Sequence, residues 1–540
     1  MRNTKSVLFV GLLAPTISNP NKIENEFWRT FHTKAFSLSV FGECTLDKYM
    51  SNIKKSGNLM YGPSSLATHA RELGMDVSYL APEPNDDEEA FLARIMEKVP
   101  GHDVVSLSYH TPSEGIARNI AMAIKTEKPE VIIIAGGPHT AGLDKVDAST
   151  TPIDLYVQGL GHAIMPWLLE GDNLENALKI TKKTKFIKRG QFDSLIDNFY
   201  EECEFPIPNV EIFNLKEFPV ARVFTRIGCG RRKGCSFCNE ENFHGRVVDG
   251  DLNKVFSFID DLVEKKETKF IYVHDENFFM DSEYSLQVIE KFEKYKGGLN
   301  YCVQGNIPSI ISDFENNGRS ILNALEKQGM CKRVEVGAES TDSRVLKFAL
   351  KGGQDFDKIK KAGRYVKKHN MLFGTYWLIG LVGENEISAR KTTHDIITLM
   401  DAGIIDFAES LVAVPYPGTL LFRERDDYLG SGARVEIPVP VEFGGNVSAE
   451  EFKPERWIGE SFPPIIEFDY PAGRNTIFPD GYTFTREVIY SLHLDRMEKI
   501  CEAMKRSLVG NNNISSDLQA DFSEIHNVFK LQYDGGMSGF

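Results

Sequence analysis

Three thiols fall within ten positions of this chain, in the run Cys229-Gly-Arg-Arg-Lys-Gly-Cys235-Ser-Phe-Cys238. Thiolates packed that tightly serve one soft metal centre that collects them. The loop between the first two is glycine-rich and basic, so its backbone can fold closely around an anionic thiolate cluster. Three cysteines can bind three irons of a four-iron, four-sulfur cluster and leave the fourth iron open for a substrate or cofactor. A structural zinc site wants four closed ligands, and His244 could supply the fourth. Chance clustering is a third reading, but the chain has 8 cysteines and the other five are scattered singly. Ligand softness favours the iron–sulfur reading.

The chain that must hold this loop has 540 residues, well beyond the roughly 250–300 at which single cores stop growing, so two or three domains are expected. It is 42% hydrophobic and 26% charged, like an ordinary globular protein. A net charge of −15 argues against a general nucleic-acid binder. Isolated cysteines fit a reducing cytosol rather than a disulfide framework. Val7–Ala14 is apolar but too short to span a bilayer, and no small-residue cleavage site follows it. These features predict a cytoplasmic protein with no membrane span and no nucleic-acid partner.

The first two hundred residues alternate buried-strand and helix patterns. Strands are predicted at Ser6–Leu13, Val77–Leu80, Asp103–Tyr109, Val131–Ala135 and Asp154–Val157, with helices at Gly62–Leu73, Glu88–Lys98 and Ser113–Lys128 and another opening at Ile164–Leu169. Such alternation implies an α/β, doubly wound (flavodoxin- or Rossmann-like) parallel sheet, whose ligands bind outside the carboxyl ends of its strands. Those ends read Ser106-Leu-Ser108-Tyr109, Gly136-Gly137-Pro138-His139 and Gly159-Leu-Gly161-His162. Any one of them alone reads as a tight strand-to-helix turn. Three on one sheet edge favour a shelf of bare backbone on which a bulky ligand can lie. His110, His139 and His162 read as turn or rim residues, not metal ligands. Asp172–Pro219, with its lysines, acids, Pro206 and Pro208, reads as an exposed linker, and Lys179–Arg189 as solvated surface.

From Val220 a second alternation begins. Strands are predicted at Ala221–Ile227, Phe270–His274, Leu299–Gln304, Arg333–Ala338, Phe373–Ile379 and Phe407–Val414, with helices such as Asn253–Lys265, Ser285–Tyr295, Gly318–Lys327 and Ile387–Ala402 between them. About six repeats suggest a partial TIM-type (β/α)6 barrel with its chemistry at the carboxyl ends of the strands. The cysteine loop follows the first strand. The other ends carry His274-Asp275-Glu276-Asn277, Gln304-Gly305-Asn306, Gly337-Ala-Glu339-Ser340, Gly380-Leu-Val-Gly383-Glu384 and Pro415-Tyr-Pro417-Gly418-Thr419. Each could merely cap a helix or make a turn. Their convergence on one mouth with the thiols favours a site. Beyond Thr419 the pattern loosens into a lid or substrate-specificity region ending in one convincing helix, Thr485–Leu508, so the C-terminal region is expected to be small and mainly helical.

A Gly-Gly-Pro-His strand end, a Gly-x-Gly turn and then a three-cysteine loop together resemble the cobalamin-binding radical S-adenosylmethionine (SAM) enzymes, over residues 5–425 in two domains. The aromatic Phe237 before the last cysteine and the Gly-x-Glu-Ser, Gly-x-x-Gly-Glu and Pro-x-Pro-Gly-Thr segments match the family's motifs. Five residues, not the usual three, separate the first two cysteines, and His162 stands where the family more often has glutamate. The resemblance implies a cobalamin-binding domain with linker at 1–205, a radical SAM barrel with a [4Fe-4S] cluster at 206–425 and a C-terminal region at 426–540.

It implies that Cys229, Cys235 and Cys238 ligate the cluster. Ser106, Ser108, Tyr109, Gly136, Gly137, Pro138, His139, Gly159 and Gly161 would hold cobalamin, and Phe237, Asp275, Glu276, Gln304, Glu339, Gly380 and Glu384 would hold SAM. No histidine has aspartate two positions before it, so the lower face of cobalt is expected to lack a histidine. The implied activity is methylation of an unactivated carbon or phosphorus through a 5′-deoxyadenosyl radical and methylcobalamin, on a small-molecule or peptide substrate, with an external electron donor such as flavodoxin or ferredoxin. The residues assign no catalytic group. They leave open an oxidation, ring contraction or cyclisation with the same cofactors, and a non-catalytic sensor with a zinc-closed loop.

Overall fold

The computed structural model describes residues 5–12, 61–83, 86, 88–110, 113–143, 151–201, 205–213, 218–231, 234–240, 245–315, 320–413 and 416–423, and further on 434–437, 447–448, 467–469, 483–484 and 486–509. Arg232, Lys233, His244 and Pro415 lie outside the described residues.

Apolar runs with no polar alternation cannot face water on either side, and the first sheet is built from them. Its strands are β1 (Val7–Leu12), β2 (Val77–Leu80), β3 (Val104–Tyr109), β4 (Ile132–Gly136), β5 (Leu155–Val157) and β6 (Phe186–Ile187). They pair in parallel in the order β2-β1-β3-β4-β5-β6. Along β1, Val7 and Phe9 enter one buried layer and Leu8 and Val10 the other. Helices α1 (Tyr61–Glu72), α2 (Glu88–Lys98), α3 (Glu114–Glu127), α4 (Pro138–Gly142), α5 (Gly161–Leu169), α6 (Asn173–Ile180) and α7 (Asp193–Glu201) cover the sheet. The expected doubly wound layer is present.

The stretch read as a linker is not one. Residues 173–201 supply α6, β6 and α7, and they bury Leu174, Ala177, Phe186, Ile187, Ile196 and Phe199. Each piece is shorter than three turns or strand-like for only two residues, so its few apolar positions are lost among the lysines. Packing on a preformed sheet selects them.

The second sheet comprises β7 (Val220–Val223), β10 (Phe270–Val273), β11 (Asn300–Gly305), β12 (Cys331–Glu339), β13 (Leu372–Ile379) and β14 (Phe407–Val412). All are parallel and in the order β14-β13-β12-β11-β10-β7, an open barrel of six strands. Helices α8 (Leu252–Lys266), α9 (Ser282–Phe292), α10 (Ile307–Glu315), α11 (Ile321–Gln328), α12 (Ser343–Phe348), α13 (Phe356–Lys368) and α14 (Glu386–Asp401) lie between its strands, and the short α15 (Leu420–Arg423) follows β14. Side chains such as Val273, Val303, Val334 and Phe373 form the core beneath the helices. Alternate residues on the other face are polar, among them Tyr272, Arg333, Glu335 and Tyr376.

The first barrel strand is shorter than its apolar run. After Val223 the chain turns, and Arg226–Ile227 (β8) pairs antiparallel with Val248–Asp249 (β9). The cause is Asp275, whose carboxylate accepts hydrogen bonds from the N–H groups of Thr225 at 2.7 Å and Arg226 at 3.0 Å. The C-terminal region is more than helical. It holds an antiparallel sheet of four short strands, β15 (Arg434–Ile437), β16 (Val447–Ser448), β17 (Glu467–Asp469) and β18 (Thr483–Phe484), before α16 (Arg486–Val509). Among the described residues no helix is long and apolar enough to cross a membrane.

Candidate active site

The cysteine loop is held at Ser236 by two backbone bonds. Ser236 donates its N–H to Ala349 O at 3.0 Å, and Leu421 donates to Ser236 O at 2.6 Å. These pin the tip between Cys235 and Cys238 to the strand ends of the barrel. Cys229, Cys235 and Cys238 are free, partly buried thiols. Arg231 donates from Nη1 to Cys235 Sγ at 3.1 Å and from Nη2 to Gly352 O at 3.1 Å, so a fixed cation faces the thiols. Burial first, then the neighbouring Cys235 sulfur, push the Cys229 thiol up, and burial pushes Cys238 up to about 12.

A cavity of about 120 Å³ opens beside Cys229 and Cys235, with Glu276, Gln304, Gly337 and Lys351 in its wall. Four of the expected residues, Cys229, Cys235, Glu276 and Gln304, thus share one chamber. No three His, Cys, Asp or Glu side chains among the described residues converge on a single ion. A cubane spreads its thiolates over separate irons, so two sulfurs on the rim of a cavity beside a fixed cation, with the third three residues along the same loop, fit it.

Glu339 stands at the end of β12 with φ 62° and only 6% exposed. Its Oε1 takes Lys351 Nζ at 2.5 Å, and the same ammonium lies 5.7 Å from the centre of the Phe237 ring. Lys351 links the fourth strand end to the cysteine loop, and the sequence reading missed it. A salt bridge between residues twelve apart, on either side of the short helix α12, leaves no periodic trace. Glu276 is half-buried, and desolvation together with the adjacent Glu240 carboxylate pushes its carboxyl well above the usual range. A neutral acid on the chamber wall donates a hydrogen bond where an anion cannot. Glu335 and Tyr376, also unforeseen, form the chamber's deeper wall, with Tyr376 Oη donating to Glu335 Oε2 at 2.9 Å.

Two residues expected on the ligand instead support the scaffold. Asp275 is 1% exposed and its carboxylate also takes the Thr225 hydroxyl at 2.5 Å, so it braces the segment leading into the cysteine loop. Glu384 is 1% exposed and accepts the Gly380 N–H at 2.7 Å, closing the loop after β13 on itself. Burial raises these carboxyls, to about 6 for Asp275 and about 7 for Glu384.

The shelf on the first sheet is formed by the ends of β3, β4 and β5. Gly137 has φ 93°, and a Cβ there would stand 2.8 Å from Tyr109 N and 2.9 Å from Ser108 Oγ. Only glycine lets the turn lie on β3. A Cβ on Gly136 would meet nothing nearer than Val157 O at 4.0 Å, so bare backbone faces open space beside half-buried Ser108. That suits a large flat ligand. Tyr109 and His139 are each 1% exposed and stack on one another at 5.5 Å, so they prop the shelf from beneath. Gly159, with φ 118°, and Gly161 pack against Ile164 and Leu66, and Ser106 is 7% exposed in β3. His162 turns inward, its Nε2 2.9 Å from Ser65 Oγ.

The two sheets meet at their functional ends. Asn239, next to Cys238, donates from Nδ2 to Pro138 O at 3.2 Å. Pro417 lies so close to Gly142 that a Cβ there would overlap its carbonyl. The Gly-Gly-Pro-His turn therefore abuts both the cysteine loop and the Pro-Gly-Thr loop.

Residues 225–396 match the Radical SAM superfamily. An uncharacterised methyltransferase of Pyrococcus horikoshii is 24% identical over 347 residues, 62% of this chain and 71% of the relative. The fold is similar to that of the radical S-adenosylmethionine methyltransferase TsrM of Kitasatospora setae. With cobalamin and a [4Fe-4S] cluster bound, that structure aligns at TM-score 0.58 and 12% identity, covering 98% of this chain and 100% of that one. With tryptophan substrate and a SAM analogue it aligns at TM-score 0.55 and 14% identity, covering 86% and 85%. The cobalamin-dependent S-adenosylmethionine radical enzyme OxsB, with aqua-cobalamin and S-adenosylmethionine bound, aligns at TM-score 0.52 and 15% identity, covering 74% of this chain and 52% of that one. Residues 225–396 thus form a radical SAM domain, and the chain as a whole has the fold of the cobalamin-binding radical SAM enzymes TsrM and OxsB.

Proposed function

We propose that this enzyme is a cobalamin-dependent methyltransferase of the cytoplasm, acting on an unactivated carbon or phosphorus of a small molecule or peptide. The observation that carries the reading is the seam: Asn239 beside Cys238 holds the carbonyl of Pro138, so the bare shelf of the first sheet adjoins the cysteine rim. A [4Fe-4S] cluster, SAM and cobalamin, when bound, supply reductive cleavage of a sulfonium and a transferable methyl group.

The protein's share is to hold and screen these groups. Cys229, Cys235 and Cys238 anchor the cluster on a loop fixed through Ser236, and Arg231 offsets its negative charge. Lys351 faces the chamber as a cation for the methionyl carboxylate, while Gln304 and Glu276 offer polar contacts on the same wall. Glu339 accepts from the ribose hydroxyls, and Phe237 flanks the adenine. Gly136, Gly137 and Pro138 present backbone to the corrin, with Ser106, Ser108, Gly159 and Gly161 toward its nucleotide tail. Domains at 1–205, 206–425 and 426–540 divide these tasks, and an external flavodoxin or ferredoxin supplies the electron.

Anaerobically reconstituted protein, given SAM labelled on its methyl group and a reductant, tests the reading. About four irons per chain, bound corrinoid, and 5′-deoxyadenosine with S-adenosylhomocysteine at parity are expected. Deoxyadenosine alone points to oxidation or cyclisation. A colourless, zinc-loaded protein overturns the proposal.

A further inference from the structure

The C-terminal helix packs on α14 and β14 and reaches the loop after β13 with two side chains, Arg496 and Ile489. Arg496 of α16 is 0% exposed, and its guanidinium donates to Thr393 Oγ1 at 3.0 Å, Leu378 O at 3.1 Å and Ala389 O at 3.2 Å. Its Nη2 also stands 3.9 Å from Glu384 Oε1, which accepts no hydrogen bond. The other carboxylate oxygen of Glu384 holds the N–H of Gly380. Gly380 has φ 87°, and the space where its Cβ would stand is bounded by Ile489 of the same helix, at 3.4 Å. The helix thus touches this loop twice, once against bare backbone and once through a buried charge pair.

The loop in turn touches the cysteine segment. Leu381 is buried with Val345, Ala349 and Ala413, and Phe237, between Cys235 and Cys238, packs on that patch. Ala349 is also the residue whose carbonyl holds Ser236. A continuous path of packed atoms runs from α16 through Glu384 and Leu381 to the ring beside the cluster cysteines. Removing the guanidinium leaves Glu384 without a counter-charge in a buried site, which weakens its hold on the Gly380 N–H.

We propose that Arg496 is a positioning residue for SAM: by neutralising Glu384 it fixes the Gly380–Glu384 loop against Phe237, so the C-terminal helix is a working part of the SAM site. This rests on the radical SAM reading above.

The test uses full-length reconstituted protein and SAM alone as probe. It reads the SAM dissociation constant by equilibrium dialysis and the SAM-induced change in the EPR spectrum of the reduced cluster. Arg496→Met is expected to keep its iron and weaken SAM binding by 10–100-fold, the usual cost of losing a supporting partner. Adding Glu384→Gln restores most of that affinity, because a neutral amide still accepts the Gly380 N–H and needs no counter-charge. Where Arg496→Met fails to fold, the single substitutions decide: Glu384→Gln binds SAM well and Glu384→Ala does not. Wild-type affinity in Arg496→Met, no rescue in the double variant, or equal behaviour of the Gln and Ala variants overturns the inference. Wild-type protein that assembles its cluster and binds no SAM overturns the proposed function itself, and this inference with it.

Discussion

The seam between the two sheets is best probed by one methyl group. In Gly142→Ala the added Cβ would stand 1.9 Å from Pro417 O, 2.3 Å from Pro417 C and 2.9 Å from Gly418 N, all of them backbone atoms. No side chain can rotate away. Ordinary separation of such atoms is about 3.5 Å, so α4 and the Pro-Gly-Thr loop must part by about 1.5 Å. Overpacking of this kind costs roughly 1–3 kcal/mol. Functionally the larger effect is displacement: a misplacement of about 1 Å can cost roughly 10²-fold in rate. The barrel strands are untouched and the strain falls on the loop after β14, so SAM binding and abortive 5′-deoxyadenosine formation are expected to change less than methyl transfer. S-adenosylhomocysteine formation, which needs both sheets at their native spacing, is expected to fall by about tenfold or more. Gly190→Ala is the control, because nothing lies within 4 Å of its Cβ. An unchanged melting temperature and wild-type S-adenosylhomocysteine formation in Gly142→Ala would refute the argument that this contact sets the spacing.

Other outcomes follow from buried charge. Lys351→Met strands the Glu339 carboxylate, whose partner at 2.5 Å is lost, and is expected to cost about 3–5 kcal/mol in urea unfolding, with recovery on adding Glu339→Gln. Burial and the Glu335 charge raise the Glu409 carboxyl to about 7 from 4.5. Its contribution to stability is therefore full below pH 4.5 and lost as pH rises through 7, to the extent of about 3 kcal/mol. Glu409→Gln should flatten that slope, read as unfolding free energy at pH 5 and pH 8. Gly190→Ala should leave stability unchanged or raise it by up to about 1 kcal/mol, by restricting the unfolded chain.

By itself the sequence determined where chemistry could happen. Unbroken apolar runs such as Val7–Val10 and Ile132–Ala135 admit only strands buried on at least one face, and the alternation around them leaves parallel sheets as the solution. Glycine and cysteine spacing marked the loops, because those residues are chosen by backbone shape and metal affinity whatever lies nearby. The tertiary structure decided which polar residues meet one another. Asp275 and Glu276 are neighbours in the chain, yet one braces Thr225 and Arg226 while the other lines the chamber. Lys351, Glu335, Tyr376 and Arg496 carry no local signature, since each acquires its role from a partner on another element. Residues 173–201 read as linker for the same reason: marginal helices and a two-residue strand exist only against a sheet that is already there. Local pattern encodes the backbone's secondary structure, whereas a buried charge is affordable only beside its counter-charge, and that pairing exists only once the chain has folded.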